Sequence, residues 1–316
     1  MQAQEFYPAL WGIGQRTANL AEADVERAFN AGEIVRTHVM RPTWHFAAPE
    51  DIRWLLMLTG PRVNATCATY YRKLELDAAT LSRARRTLVK ALRGRHAPRA
   101  LLRDALRRAT IPVDTMRFAF ILMHVELEGL MISGPRVGKQ FTYALLDERV
   151  PAAAALTPEE ALATLTRRYF AGHGPATIRD FAWWSGLTTK QIREGIALIG
   201  SELHSEEIEG DTFWRSAGAP AAPRRRPTAA HLLPVYDELF IGYKDRRTAD
   251  TFAAPLVVAG RVAGSWRRQT EKQRAVVSIA LSAPLSAPER RAVDRAVRRY
   301  QAFLGIPVVL DFPTTG

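Results

Sequence analysis

Apolar and polar positions follow two periods along this chain, and the points where one gives way to the other mark its elements. Over residues 22–31 (EADVERAFNA) the apolar positions recur at helical spacing, with Asn19 as the expected N-cap and Gly32 as the stop. The period then shortens. Residues 33–41 mix β-branched and polar side chains, Pro42 interrupts them, and Thr43-Trp44-His45-Phe46 alternates again, which predicts a hairpin or wing. Pro49-Glu50-Asp51 opens an apolar helix that runs through Leu58. A second apolar helix is expected over 118–129, ended by Gly129. Residues 130–133 and 140–145 then read as strands around the loop 134–139. A helix pair followed by such a hairpin is a winged-helix pattern, with Arg136 and Lys139 at the wing tip, placed to meet phosphate or a minor groove.

A Pro/Ala-rich linker, residues 151–157, leads to a third unit. Here RRYFAGHGPATIRDFAWWSGLTTKQIREGIALIG predicts helix, turn, helix, the short turn Ser185-Gly186, and a last helix from Thr188. That is helix-turn-helix spacing. The last helix offers Thr188, Thr189, Lys190 and Arg193, residue types that reach phosphates or base edges. Trp183 and Trp184 are expected to be core. Residues 217–227 form a low-complexity linker carrying Arg224-Arg225-Arg226. Beyond it HLLPVYDELFIGYKDRR, PLVVAGRVAGSWRR and AVVSIALSAPL read as strands, followed by a basic helix from Pro288 to Phe303. The fold class expected is therefore α+β: tandem winged-helix units and a small C-terminal β-rich domain. The expected boundaries are 1–78, 79–150, 151–216 and 228–316.

Composition changes the picture in two ways. Its 316 residues, 47% of them hydrophobic, suffice for two or three cores, and 44 Lys+Arg against 32 Asp+Glu give a net charge of +12. Nucleic acid is the natural partner of such a charge, although arginine enrichment with abundant Ala, Gly and Pro also fits a compositional bias. Residues 83–108 hold ten basic side chains and one acidic one, and Arg99, Arg103 and Arg107 share a helix face at i, i+4, i+8. That face reads either as a phosphate track or as a solvated basic surface. The longest apolar run, near 118–123, is far shorter than the ~20 residues of a membrane span, so a cytoplasmic, nucleoid-associated protein with no membrane partner is expected.

Several motifs fail on inspection. Residues 134–139 give GxxxGK, one residue short of a phosphate-binding loop, with Gln140 where Ser or Thr would bind magnesium. Gly12-Ile13-Gly14 is a bare GxG, best read as a packing turn. No HExxH, GxSxG or EF-hand loop occurs, the seven histidines lack ligand spacing, and Cys67 is alone. Neither a metal nor any other cofactor is expected.

Five separated segments resemble one family. QAQEFYPALWGIGQRT, VRTHVMRPTWHFAAPEDIRWLL, GPATIRDFAWWSGL, LLPVYDELFIGYKDR and VVAGRVAGSWRR are similar, in order, to the winged-helix proteins that include the AlkZ and YcaQ-like DNA glycosylases. The resemblance implies tandem winged helices around DNA and excision of alkylated purines, with interstrand crosslinks unhooked in some members. The family's catalytic signature is Gln, an apolar residue, then Gln or Asp, so the resemblance assigns catalysis to Gln2 and Gln4. It places Arg41, Thr43 and His45 in the family's MR-x-T-x-H stretch, with Pro42 where glycine is usual. Lys244 and Arg246, in the YKDR stretch, complete the expected DNA contacts. It also implies a helical segment upstream of Met1, which would leave the glutamine pair poorly anchored.

Two carboxamides suit such a reaction. An N7-alkylated guanine is already cationic, so its glycosidic bond is weak and the departing base needs no acid. What remains is to hold a water on the opposite sugar face, and a glutamine both donates and accepts hydrogen bonds. The expected function is thus a glycosylase for cationic N-alkylpurines in double-stranded, alkylated or crosslinked DNA, acting as a monomer. The alternatives are a non-catalytic winged-helix regulator or damage-shielding factor, and a winged-helix protein-interaction scaffold.

Overall fold

The computed structural model describes residues 1–219, 228–244, 253–271 and 273–312. The chain runs α1 (Phe6–Gly14), α2 (Glu22–Ala31), the hairpin β1 (Val35–Val39) and β2 (Arg41–Ala47), α3 (Pro49–Thr66) and α4 (Ala68–Lys73). It continues through α5 (Ala78–Leu92), β3 (Ala97–Pro98), α6 (Arg99–Arg108), α7 (Thr115–Leu127), β4 (Met131–Ser133), β5 (Thr142–Leu145) and α8 (Leu146–Arg149). Next come α9 (Pro158–His173), α10 (Ile178–Ser185), α11 (Thr189–Ile199), β6 (Leu203–Ile208) and β7 (Asp211–Ser216). The last part holds β8 (Ala230–Leu232), α12 (Glu238–Ile241), β9 (Ala254–Val258), β10 (Arg261–Thr270), β11 (Ala275–Leu281), α13 (Ala287–Leu304) and β12 (Val308–Asp311). The fold is α+β, and the chain packs as two compact units.

The larger unit spans Ala28–Ala219 and Gly242–Lys244. Within it α5, β3, α6, α7, β4 and β5 follow winged-helix order, with an antiparallel sheet ordered β3-β5-β4. The core here gathers Leu88, Leu102, Leu106, Phe118 and Ile121. α9, α10, α11 and the hairpin β6-β7 repeat that order, an isolated bridge between Ala176 and Trp214 standing in for the first strand. Capping boxes start all three helices of this second set: Thr157 with Glu160, Thr177 with Asp180, and Thr188 with Gln191. Gly186 ends α10 in the left-handed region, where a Cβ would also lie 2.3 Å from the Met40 carbonyl oxygen. Tyr169 stacks on Phe181 at 4.4 Å and on His173 at 4.7 Å, and Trp184 closes this aromatic cluster.

The smaller unit joins Met1–Arg27 to Pro220–Ile241 and Asp245–Gly316. Its five-stranded sheet runs β12-β11-β10-β9-β8, and only β11 and β12 are parallel, so α13 forms the crossover between them. α13 buries Val293, Val297, Tyr300 and Phe303. Trp11 of α1 meets Tyr300 at 4.8 Å and Phe303 at 5.0 Å. Gly14 permits this approach, because a Cβ there would fall 2.4 Å from the Phe303 ring.

Three sequence expectations need correction. Of residues 231–244, the described part of the segment 231–247, only the first join a strand, β8; Asp237 then caps the short helix α12, accepting the Leu239 N–H at 3.0 Å. Asn19 does not cap α2. It lies three residues upstream with φ +59°, and Asp24 instead accepts the Ala21 N–H at 2.8 Å. The face of Arg99, Arg103 and Arg107 is not an open track: Arg99 and Arg103 lie over the Phe118 ring at 5.0 and 4.8 Å, and Arg107 pairs with Asp104.

Candidate functional site

The glutamine-bearing segment lies in the smaller unit and is held there. Gln2 is 7% exposed and Ala3 fully buried, and the Gln2 backbone N–H donates to Glu238 Oε1 at 2.9 Å. Gln4 sits half-buried just before Glu5, the N-cap of α1. The expected loose anchoring is therefore not what the chain does. Glu238 is itself fixed as the first residue of α12, whose cap, Asp237, is 1% exposed and takes both guanidinium nitrogens of Arg16 at 2.8 and 2.9 Å. Burial pulls the Arg16 guanidinium down, but the Asp237 carboxylate outweighs it and leaves the pKa raised. α1 is tied further by the Trp11 indole N–H, which donates to the Leu232 carbonyl at 2.6 Å. A backbone clamp of this kind restricts the segment at both of its neighbours, Glu238 and α1.

A cavity of about 760 Å³ opens beside α1 in this unit. Its walls include Pro8, Trp11, Pro234, Trp266, Arg268 and Tyr300. Arg268 bridges the Tyr300 hydroxyl at 3.1 Å and Glu22 at 3.3 Å. Burial pushes the Tyr300 phenol up to about 12, so it stays a neutral hydroxyl that accepts from Arg268.

The other expected contacts lie in the larger unit. His45, 1% exposed, faces Thr37 across the β1-β2 hairpin, and its Nδ1–H donates to the Thr43 carbonyl at 2.9 Å. A carbonyl can only accept, so Nδ1 carries the proton of this bond. The Thr43 hydroxyl is buried without a hydrogen-bond partner among the described residues. Behind the hairpin, His38 Nδ1 meets Glu126 Oε2 at 2.6 Å, and the His38 ring packs on Trp44 at 4.2 Å.

α10 gathers several candidates around itself. Arg41 lies over the Trp183 ring at 5.7 Å, and Trp183 is 39% exposed while Trp184 belongs to the core. The pair expected to be core is therefore split. At the other end of α10 the Lys244 N–H donates to Asp180 Oδ1 at 2.9 Å, leaving the Lys244 side chain exposed. Lys190 and Arg193 are exposed on α11, with Lys190 3.9 Å from Glu194. Thr188 differs from them, because its hydroxyl accepts the Gln191 N–H and donates to Gln191 Oε1 within the capping box. On the β4-β5 wing Lys139 is exposed, whereas the Arg136 guanidinium lies on the Phe141 ring at 5.1 Å and its backbone N–H donates to Asn30. Arg246 falls outside the described residues.

Sequence reading overlooked Glu238, the Arg16–Asp237 clamp and the acidic wing between β6 and β7, which carries Glu206, Glu207, Glu209 and Asp211. Asp237 had a signal, an acidic residue directly before an apolar run, which is an N-cap pattern. The partners of Glu238 and Arg16 lie more than 200 residues away in the chain, and no local pattern encodes them.

No helix among the described residues is long and apolar enough to cross a membrane, and no group of three or more His, Cys, Asp or Glu residues among them is placed to hold a metal ion. The profile of the family described as "DNA glycosylase AlkZ-like" matches residues 1–303. An "Interstrand DNA cross-link repair glycosylase" of Streptomyces sahachiroi is 25% identical over 296 residues, covering 84% of this chain and 79% of that protein. The solved structure of the Streptomyces sahachiroi DNA glycosylase AlkZ superposes with a TM-score of 0.76 at 21% identity, covering 98% of this chain and 90% of the other, which establishes the shared fold. With a family match across nearly its whole length, the chain belongs to the AlkZ-like DNA glycosylases.

Proposed function

We propose that this protein releases cationic N3- and N7-alkylpurines from double-stranded DNA, and that crosslinked purines are among its substrates. Gln2 and Gln4 are the catalytic pair. The observation that carries the reading is the clamp on their segment: Gln2 is buried and tied to Glu238, and α1 begins directly behind Gln4. A side chain can hold a water to catalytic tolerance only where its backbone is held first. The unpartnered Thr43 hydroxyl adds support, since a buried polar group without a partner costs free energy unless a ligand meets it. The name of the Streptomyces relative supports crosslinked DNA as a substrate class.

The chemistry asked of the protein is modest. The alkylated base carries the positive charge and departs as a neutral purine once the glycosidic bond breaks, while the sugar becomes oxocarbenium-like. The glutamine pair orients a water on the face opposite the leaving base; the water attacks C1′ of the oxocarbenium-like sugar, forming the C1′–O bond, and releases its proton to solvent. Positioning of this sort is worth up to roughly 7–11 kcal/mol, enough for a labile bond and too little for an unmodified base. The three-helix modules grip the duplex through α11 and the exposed Lys139 and Lys244, and the protein works as a monomer in the nucleoid.

Duplexes carrying N7-methylguanine or uracil at one position, incubated with the protein and treated with hot alkali, test the reading. Strand cleavage at N7-methylguanine and not at uracil is expected. Cleavage at neither would leave a DNA-binding protein without catalysis, and cleavage at uracil would refute the charge-based selectivity.

A further inference from the structure

The basic segment 83–108 divides in the structure into two helices of opposite character. On α6 three of the four arginines turn inward or pair with neighbours: Arg99 and Arg103 lie on Phe118, and Arg107 meets Asp104, while Arg108 is exposed. On α5 they do not. Arg83, Arg86 and Lys90 recur at i, i+3 and i+7, and Arg93 follows at the C-cap, so the four fall on one face. All four are exposed, and none makes an ion pair within 4.0 Å among the described residues; Arg86 donates only to the Ser82 hydroxyl, at 2.9 Å. The opposite face, with Leu81, Ala84, Leu88 and Leu92, is buried.

Two features separate this face from an ordinary solvated one. α5 contains no acidic residue, so Arg86 and Lys90 at i, i+4 repel each other without the intervening carboxylates that usually lace an exposed helix. The helix dipole favours Lys90 and Arg93 near the C-terminus but offers nothing to Arg83 and Arg86 in the first half. Other arginines of the chain show what internal satisfaction looks like. Arg295 and Arg299 on α13 donate to the carbonyls of Thr228 and Gln15.

We infer that the Arg83–Arg86–Lys90–Arg93 face of α5 is a phosphate track for duplex DNA, an auxiliary contact separate from the helix-turn-helix of α10 and α11. At 1.5 Å rise per residue the four charges span about 15 Å, a length over which one DNA strand presents roughly four phosphates. The contact reads no sequence and adds residence on undamaged DNA. This inference rests on the proposed DNA substrate and goes beyond it by naming the surface.

The test compares wild type with a variant carrying Arg83→Gln, Arg86→Gln, Lys90→Gln and Arg93→Gln. Glutamine keeps helix propensity while removing charge. Affinity for an undamaged ~20-base-pair duplex is measured against salt. The slope of log K against log salt should shrink by about 3 to 4, at about 0.9 per phosphate contact. Release of N7-methylguanine by the variant at saturating concentration should be unchanged. A control with Arg291→Gln and Arg298→Gln on α13 should leave the slope within about 0.5 of wild type. An unchanged slope in the α5 variant would overturn the track, and so would an equal loss per charge in the control. Wild-type protein that binds and excises normally while the α5 variant keeps its slope would overturn the track alone; wild type that excises nothing would overturn the glycosylase reading instead.

Discussion

Two parts of the larger unit share one element order and have opposite chemistry. In the α5–β5 module the third helix, α7, is a core element: Phe118, Ile121, Leu122, Val125 and Glu126 are buried, and Arg117 pairs with Glu75. In the α9–β7 module the third helix, α11, buries only Ile192, Gly195 and Ile199 and presents Lys190 and Arg193. The wings reverse the pattern. The first carries Arg136 and Lys139, the second Glu206, Glu207, Glu209 and Asp211. A winged-helix topology therefore does not say which part meets DNA; exposure and charge sign do, since phosphate contact requires solvent-facing cations.

The comparison can be broken at its strongest point first. Phe118→Ala should cost ~3–5 kcal/mol of stability, read from the urea midpoint, because it opens a cavity in a packed core and strips the seat of Arg99 and Arg103. DNA affinity of the folded fraction should not change. Lys190→Glu with Arg193→Glu should do the reverse, weakening duplex binding by roughly 10- to 100-fold at moderate salt while leaving the urea midpoint in place. If α7 variants lost affinity and α11 variants did not, the assignment of the reader helix would be inverted.

Smaller effects sharpen it. Glu206→Gln with Glu207→Gln removes two repelling charges from the second wing. If that wing faces away from phosphate, affinity should change by less than ~0.5 kcal/mol in a fluorescence titration. A gain of tenfold would bring the wing against DNA.

The smallest effect concerns pH. Burial lowers the pKa of His124 on α7, with Glu128 opposing and Arg85 assisting. A histidine with a lowered folded pKa contributes stability that is present above its unfolded value near 6.5 and is lost as pH falls through the lowered one. His124→Gln should therefore flatten the fall in thermal midpoint between pH 7 and pH 5. α11 carries no histidine, so α11-dependent affinity should not share this dependence.

What was legible in the sequence follows from these same physics. Helices with a strong cap and a glycine stop, such as α10 between Thr177 and Gly186, are local facts and read correctly. The β1-β2 hairpin was legible from its alternation, but its turn falls at Met40, with φ +65°, and Pro42, read as the interruption, lies inside β2. The direction of Arg99 and Arg103 was not legible, because the ring they cover lies a helix away at Phe118. α12 was missed although Asp237, placed before Leu239-Phe240-Ile241, carries an N-cap signal; the contact that holds Asp237, to Arg16, lies 221 positions away in the chain. The glutamine pair is proposed from resemblance alone, and the tether that holds the Gln2 backbone is a contact 236 positions apart in the chain.

That tether leads to the central claim. Single-turnover release of N7-methylguanine, measured beside duplex affinity for wild type and Gln4→Ala, tests it most directly. The account predicts that Gln4→Ala slows release by about 100-fold or more, the scale of a lost catalytic positioning group, while Kd changes less than about threefold. Equal loss of release and affinity would make Gln4 a DNA contact only, and undiminished release would remove the glutamine pair from the mechanism.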